Sequence, residues 1–109
     1  MKPIWIAALI AALSGATALA ADRDGAVKDI AQVVAASQLC SKLHVNQVSV
    51  VLLARANGID FDRDQKELMA EVARQAEPWK GKSADAACVA GVMLYGPTGT
   101  NVPGLVDLN

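Results

Sequence analysis

A single pair of cysteines, Cys40 and Cys88, constrains the fold of this chain more than any other feature. The two residues lie far apart, and an exported chain with an even number of cysteines is the usual setting for a disulfide. In the chain-entropy model, a bridge that closes a loop of about 49 residues contributes ~4 kcal/mol to stability. We therefore predict a covalent link between the two halves of the domain.

The first twenty residues predict that the chain is exported. Lys2 supplies a positive charge, residues 4–13 are apolar, and residues 18–20 (Ala-Leu-Ala) form a small-x-small cleavage pattern. The apolar run is shorter than the roughly 20 residues that a spanning helix needs, which makes an uncleaved anchor the weaker alternative. We expect a signal peptide at 1–20, cleaved after Ala20 (or, as second choice, after Ala18), and a periplasmic or secreted protein without membrane insertion.

The remaining 89 residues are enough for one domain with a thin core. Their aromatic side chains are only Phe61, Trp79 and Tyr95, and alanine supplies much of the apolar content. Nine basic side chains face eleven acidic ones once Lys2 is removed, a formal charge of −2. This balance gives no basic footprint for nucleic acid or anionic lipid.

A reactive role for the cysteines is the alternative to a structural bridge. The sequence has no CxxC motif and no cationic neighbourhood that would activate a thiol. Cys40 and His44 stand four residues apart, so a nucleophile–base or metal pair on a helix is conceivable. With only one histidine and an oxidised cysteine, the structural bridge is the favoured interpretation.

The first half of the mature chain predicts two helices. Apolar residues recur at helical spacing from Ala26 to Leu43, with Asp24 as N-cap. The segment VSVVLL at 48–53 has the β-branched content of a strand, but a lone strand would have no partner elsewhere in the sequence. We therefore predict a buried helix there, ended by a left-handed C-cap at Asn57-Gly58.

The second half predicts two further helices. One is capped by Asp62 and ended near Glu77 by Pro78, and Ser83 caps the other, at 84–95. Gly91 in the last helix either permits a close approach of a neighbour or has no role. Four helices with short connections predict an all-α fold, a small four-helix bundle-like domain at 21–95 tied by one disulfide.

The last fifteen residues, YGPTGTNVPGLVDLN, contain a glycine-rich stretch that is not a phosphate-binding loop. A Walker-type loop needs a preceding strand, a GK[ST] sequence and a following helix, and none is present. We predict a C-terminal tail at 96–109 whose apolar residues dock on the helical domain. A partner-binding arm made by the same residues is the alternative; they are Leu105, Val106 and Leu108.

One acidic window raises the hypothesis of calcium binding. Asp60, Asp62, Asp64 and Glu71 occupy positions 1, 3, 5 and 12 of a twelve-residue stretch, the spacing of an EF-hand loop, which this window resembles. Position 6, which needs glycine for a sharp turn, is Gln65. Helix capping explains the aspartates without a metal, and we expect no cofactor.

These observations favour a non-enzymatic interaction protein, since no catalytic set or cofactor motif is present. We expect an accessory, inhibitor or immunity-type protein that binds a protein partner in the cell envelope, and the sequence leaves a homodimer open. The layout also resembles the acid-stress chaperones HdeA and HdeB: about ninety mature residues, helices throughout and one wide disulfide. That resemblance implies a periplasmic chaperone that loosens near pH 3. The chain departs from those chaperones in lacking a tryptophan just before its first cysteine and in its apolar tail.

Overall fold

The structure is a computed structural model that describes residues 22–108, so the predicted signal peptide at 1–20 lies outside the described residues. The described part is mostly helical, with a small two-stranded sheet and a disulfide between Cys40 and Cys88. In chain order the elements are α1 (Arg23–Leu39), β1 (Leu43–Val45), α2 (Gln47–Ala56), α3 (Gln65–Ala76), a 3-10 helix (Glu77–Trp79), α4 (Ala84–Tyr95) and β2 (Val106–Leu108).

Helix α1 is shifted toward the N-terminus relative to the sequence-based prediction. Its N-cap is Asp22, whose Oδ1 accepts a hydrogen bond from the backbone N–H of Gly25 at 3.0 Å, and not Asp24. It ends before Cys40, where the backbone becomes extended (φ −123°, ψ 104°). The apolar Leu43, predicted to lie at the end of this helix, instead begins strand β1.

The two strands correct the all-α prediction. β1 pairs antiparallel with β2, with Val45 opposite Val106, and the backbone N–H of Asn46 extends the contact by donating to the carbonyl of Leu105 at 2.7 Å. The partner of β1, which the sequence did not predict, lies in the C-terminal tail. Three-residue strands carry no readable alternation, so this long-range pairing left no sequence signal.

Helix α2 confirms the choice of a helix for the β-branched segment at 48–53, but the helix is not buried as predicted, since Val50 and Ala54 are buried while Val48 and Leu52 are exposed. Asn46 caps it by accepting a hydrogen bond from the N–H of Ser49, and Gly58 follows its end with a positive φ of 73°. The backbone N–H of Ile59 donates to the carbonyl of Ala54 at 2.9 Å, and the Ile59 side chain is buried. Glycine suits this position because residues with a Cβ rarely adopt a positive φ.

Helix α3 begins at Gln65, later than the predicted start at Asp62. A hydrogen-bonded turn at 61–64 precedes it, because Asp60 Oδ1 accepts the N–H groups of Asp62 and Arg63 at 2.9 and 3.0 Å. The C-terminal end of α3 is as predicted, since the helix ends just before Glu77 and Pro78 lies in the 3-10 helix that follows.

Helix α4 is capped by Ser83, as predicted, through its Oγ and the N–H of Ala86. Gly91 does permit a close approach, but the neighbour is strand β1 and not only another helix. A Cβ at position 91 would lie 2.8 Å from Cδ2 of Leu43 and 3.5 Å from Cβ of Ala36. The missing side chain therefore lets α4 pack against the exit of α1.

The C-terminal segment contributes to the core. Leu105 and Val106 are each 2% exposed, whereas Leu108 is 51% exposed. The backbone N–H of Leu105 donates to the carbonyl of Tyr95 at 3.0 Å, so the chain returns to the end of α4. The tail thereby adds two large apolar side chains to a core that is otherwise rich in alanine and valine.

Helix α1 is the centre of the packing, because it contacts the other three helices and β1. Its residues Ile30 and Val33 belong to the main hydrophobic cluster, which reaches α2, α4 and the C-terminal segment. A smaller cluster joins α1 to α3 through Ala31, Ala35 and Val72. These contacts use small side chains, so burial alone gives modest stabilisation.

The disulfide is expected to supply a substantial part of the stability. Cys40 is fully buried, and its Cα lies 5.2 Å from that of Cys88, 48 positions later in the chain. Replacing both cysteines with alanine should lower the free energy of unfolding by about 2–5 kcal/mol, because the unfolded chain regains the freedom of the open loop. Urea unfolding of the double variant and of the wild-type protein, oxidised and reduced, measures this. An equal midpoint for all samples would contradict it.

Candidate functional site

The predicted calcium window does not fold into an EF-hand loop. Asp60 uses its carboxylate to hold the backbone of the 61–64 turn, and Asp62 is exposed beside it. Glu71 lies on α3, where Arg74 and Gln75 donate hydrogen bonds to its carboxylate. A turn followed directly by a helix carries Glu71 away from the aspartates, as the helix rises 1.5 Å per residue.

Asp64 is paired with arginines where the calcium hypothesis required a metal ligand. Its carboxylate lies 2.8 Å from Nη2 of Arg63 and 3.0 Å from Nη2 of Arg23, and it also accepts the backbone N–H of Asp60 at 3.0 Å. The hydrogen bonds from Arg63 and from the Asp60 backbone, followed by Arg23, hold the pKa of Asp64 well below its usual range. The carboxylate is thus occupied, which also explains why it makes no N-cap hydrogen bond to α3.

Arg23 links the start of α1 to α3 through a second carboxylate. It donates two hydrogen bonds to Glu67, at 3.0 and 2.8 Å, and these lower the pKa of that glutamate. Within residues 22–108, no three His, Cys, Asp or Glu side chains are grouped so that they could hold a metal ion. His44 is exposed on β1, and Cys40 is consumed by the disulfide.

A concave feature lies between α1, the 3-10 helix and α4, and we refer to it as the α1–α4 cleft. It has a volume of about 260 Å³. Its wall on α1 has the i, i+3, i+4, i+7 spacing of one helix face, and its wall on α4 has the same spacing. The lining residues are Gln32, Ala35, Ala36 and Leu39 on α1, Gln75, Pro78 and Trp79 at the end of α3 and beyond, and Ala87, Ala90, Gly91, Leu94 and Tyr95 on α4.

Alanine and glycine make up much of both walls of the cleft, namely Ala35 and Ala36 on α1 and Ala87, Ala90 and Gly91 on α4. The helices approach closely along this line, since a Cβ at position 91 would lie 3.5 Å from that of Ala36. Cys40 directly follows Leu39, the last lining residue on α1, and Cys88 directly follows Ala87, the first lining residue on α4. The disulfide therefore joins the two walls at one end of the cleft.

A chain of side-chain hydrogen bonds crosses one end of the cleft. Gln32 Nε2 donates to Gln75 Oε1 at 3.0 Å, and Gln75 Nε2 donates in turn to Glu71. The Tyr95 hydroxyl contacts Gln32 Oε1 and lies 3.1 Å from Asp29 Oδ1. The chain joins α1, α3 and the end of α4 with groups that are partly buried.

Tyr95 is the centre of this network and is only 1% exposed. Burial, and then the negative charge of Asp29, raise the pKa of its phenol, so the group stays protonated and able to donate. Its oxygen also accepts a hydrogen bond from Asn101 Nδ2 at 3.0 Å, and Asn101 bonds Asp29 as well. The C-terminal segment is therefore tied to the cleft by polar contacts in addition to its buried leucine.

Helix α4 carries three exposed large apolar side chains. Val89 is 56% exposed, Met93 is 63% exposed, and Leu94, itself a lining residue, is 39% exposed. A second exposed pair lies on α2, where Val48 and Leu52 are 69% and 60% exposed and stand four residues apart. Large apolar side chains on a surface mark interaction sites when they are grouped.

The sequence-based search missed this cleft, although its signal was present. The small lining residues follow helical spacing; they are Ala35, Ala36, Ala87, Ala90 and Gly91. Because alanine is common in helices, this pattern predicts close helix packing as readily as a cleft. Of the three predicted partner-binding residues, Leu105 and Val106 are buried in the core, and Leu108 alone is exposed. Whether the C-terminal segment binds a partner stays a prediction.

Comparison with known proteins does not assign the chain to a family. No protein-family model matches the chain, and neither a curated protein nor a solved structure matches it significantly. In the part of the chain that the structure describes, no helix combines the length and apolar character that crossing a bilayer requires.

Replacing Tyr95 with phenylalanine should destabilise the protein by about 1–3 kcal/mol, because partly buried polar partners lose their hydrogen bonds. Asn101→Ala, which removes one exposed member of the network, should cost less. Chemical unfolding of both variants beside the wild-type protein tests this. A loss below about 0.5 kcal/mol for the tyrosine variant would show that the network contributes little.

Proposed function

We propose that the protein is an exported, non-enzymatic, four-helix bundle-like module that acts by binding another protein in the periplasm or outside the cell. Accessory, inhibitor and immunity-type proteins belong to this class. The predicted signal peptide and the disulfide support export, since such bridges persist in oxidising compartments. The proposal places the protein partner on the α4 side of the molecule.

The observation that carries the proposal is a group of exposed large apolar side chains on α4, which we call the α4 rim. It consists of Val89 and Met93, which stand four residues apart, and of Leu94. Methionine and aromatic residues are enriched in protein interfaces, and charged residues are depleted from their centres. Burying this rim against a partner would remove it from water and favour association.

Met93→Glu should weaken partner binding without affecting folding, because the side chain is 63% exposed. The immobilised mature protein is used to capture proteins from an envelope extract of its source. A captured protein is then identified, purified and titrated against both forms, and we expect at least a tenfold weaker affinity for the variant.

Ala73→Glu is the matched control, since Ala73 is exposed on α3 and lines none of the described cavities. It adds the same charge away from the rim and should leave the affinity unchanged. A purified partner that binds the wild-type and Met93→Glu proteins with equal affinity would show that the interface does not include Met93. Failure to obtain any protein whose binding survives purification would contradict the proposal.

A second candidate function is acid-stress chaperoning, and the ion pairs of Arg23 favour it. Arg23 connects α1 to α3 through Asp64 and Glu67, next to the helix pair that buries Ala31 and Val72. The pKa values of both carboxyl groups are lowered by hydrogen bonds from arginines. Protonation at low pH would weaken this link and release apolar surface for an unfolding client.

The pH dependence has a defined sign. The folded-state pKa values of Asp64 and Glu67 lie below their unfolded-state pKa values, which are near 4. The contribution of these two carboxylates to the free energy of unfolding is therefore complete above about pH 4 and is lost as the pH falls toward their folded-state pKa values. We expect the free energy of unfolding to decrease from pH 5 toward pH 2, and the combined Asp64→Asn and Glu67→Gln variant to show a smaller decrease. Asp62→Asn, at an exposed position without an ion pair among the described residues, is the control.

Light scattering then separates the two candidates. A chaperone suppresses aggregation of a denatured client near pH 3 and does so less well at pH 7. Equal aggregation with and without the protein at pH 3 would remove the chaperone function and leave the interaction module.

A further inference from the structure

We propose that Asn57 is a site of spontaneous deamidation, a modification that takes place when helix α2 opens and that then prevents α2 from docking again. Water is the only co-reactant, so no enzyme or cofactor is required. The modification is independent of the proposed function, because it depends only on the Asn57-Gly58 pair, on the burial of the asparagine and on the packing of α2.

Deamidation is fastest at an asparagine that is followed by glycine. The backbone nitrogen of the following residue attacks Cγ of the asparagine and forms a C–N bond, and the side-chain nitrogen leaves as ammonia with the hydrogen of that backbone N–H. Water then opens the resulting five-membered imide to aspartate or isoaspartate. Gly58 has no Cβ to hinder the attack, whereas Asn46 and Asn101 are followed by glutamine and valine. Asn57 is therefore the most reactive asparagine of residues 22–108.

The docked form of α2 holds this pair in an unreactive arrangement. Asn57 is only 4% exposed, and its Nδ2, which is the leaving group, donates a hydrogen bond to the carbonyl of Leu53 at 2.9 Å. The attacking nitrogen of Gly58 donates its own hydrogen to the carbonyl of Arg55 at 3.3 Å. Both hydrogen bonds must break before the new bond forms, so the reaction requires that the end of α2 opens.

Helix α2 is weakly held in its docked position. Of its ten residues only Val50 and Ala54 are buried, and Val48 and Leu52 are exposed. The disulfide joins the exit of α1 to α4 and does not clamp α2 itself. An element with few buried apolar contacts opens at a lower free energy than the whole molecule. Local opening of α2 therefore exposes the reactive pair while the rest of the fold stays intact.

The product does not fit the docked position. In the aspartate form an oxygen replaces Nδ2, so a carboxylate faces the carbonyl of Leu53 at a helix C-terminus, where the helix dipole is also negative. A buried negative charge without a donor is strongly unfavourable. The isoaspartate form adds a methylene group to the backbone of the turn that returns the N–H of Ile59 to the carbonyl of Ala54. Opening thereby becomes permanent, and the apolar Val50, Ala54 and Ile59 stay accessible.

The rate of the reaction tests the protection by the fold. The mature protein, folded or unfolded in urea, is incubated at mildly alkaline pH, and the deamidated fraction at each asparagine is measured by mass spectrometry of its peptides. Asn57 should react at least tenfold more slowly in the folded protein, while Asn46 and Asn101 stay unmodified in both samples. Equal rates at Asn57 in the two samples would overturn the protected arrangement.

Two matched variants test whether opening of α2 permits the reaction. Asn46→Ala removes the side chain that caps the start of α2, and it should raise the rate at Asn57 about fivefold, the factor by which loss of an N-cap increases the open population. Ser83→Ala removes the corresponding cap of α4 and should leave that rate unchanged. An equal increase with both variants, or no increase with Asn46→Ala, would overturn local opening as the permissive step.

The effect of the product is tested by amide hydrogen exchange on two Asn-to-Asp variants. In Asn57→Asp, the amide hydrogens of α2 should exchange at least tenfold faster than in the wild-type protein, while those of α1 stay protected. Asn46→Asp makes the same replacement at the other end of α2, where aspartate caps as well as asparagine and the helix dipole favours its charge, so exchange should be unchanged. Unchanged exchange in α2 of Asn57→Asp would overturn the inability of the product to dock. Loss of protection throughout that variant would overturn the confinement of the change to α2.

Discussion

The covalent link between Cys40 and Cys88 is the constraint on which the remaining structure depends. It holds the end of α1 against α4 at the point where α1 stops and the chain turns into β1. Helix faces of alanine and glycine bury little area and attract one another weakly. With the link in place, the two faces stay in contact, and the α1–α4 cleft lies beside their line of contact.

The C-terminal segment completes this arrangement from the other side. By pairing with β1 it covers the exit of α1, and by burying Leu105 and Val106 it supplies bulk that the helices lack. Asn101 connects the same segment to Tyr95 at the polar end of the cleft. The disulfide, the small sheet and the hydrogen-bond chain thus act on one region of the molecule, which explains how a thin core holds a defined concavity.

The groups that support the two candidate functions lie on different elements. Arg23, Arg63 and Asp64 form a paired cluster where α1 begins, whose carboxylate is fixed by guanidinium groups. Helix α4 carries the exposed Val89 and Met93. The two candidate functions therefore depend on different residues and are separable by mutation.

Local chemistry in the sequence determined the helices, the caps at Asn57-Gly58 and Ser83, and the disulfide, because each depends on neighbouring residues or on cysteine count alone. It also determined the rigid end of α3 at Pro78. Only the tertiary structure decided the strand pairing, the use of Asp64 by two arginines and the location of the cleft. Those features join residues that are distant in the chain. A row of alanines on one helix face predicts close packing and a cleft equally well, because the sequence does not show how the facing helix is placed.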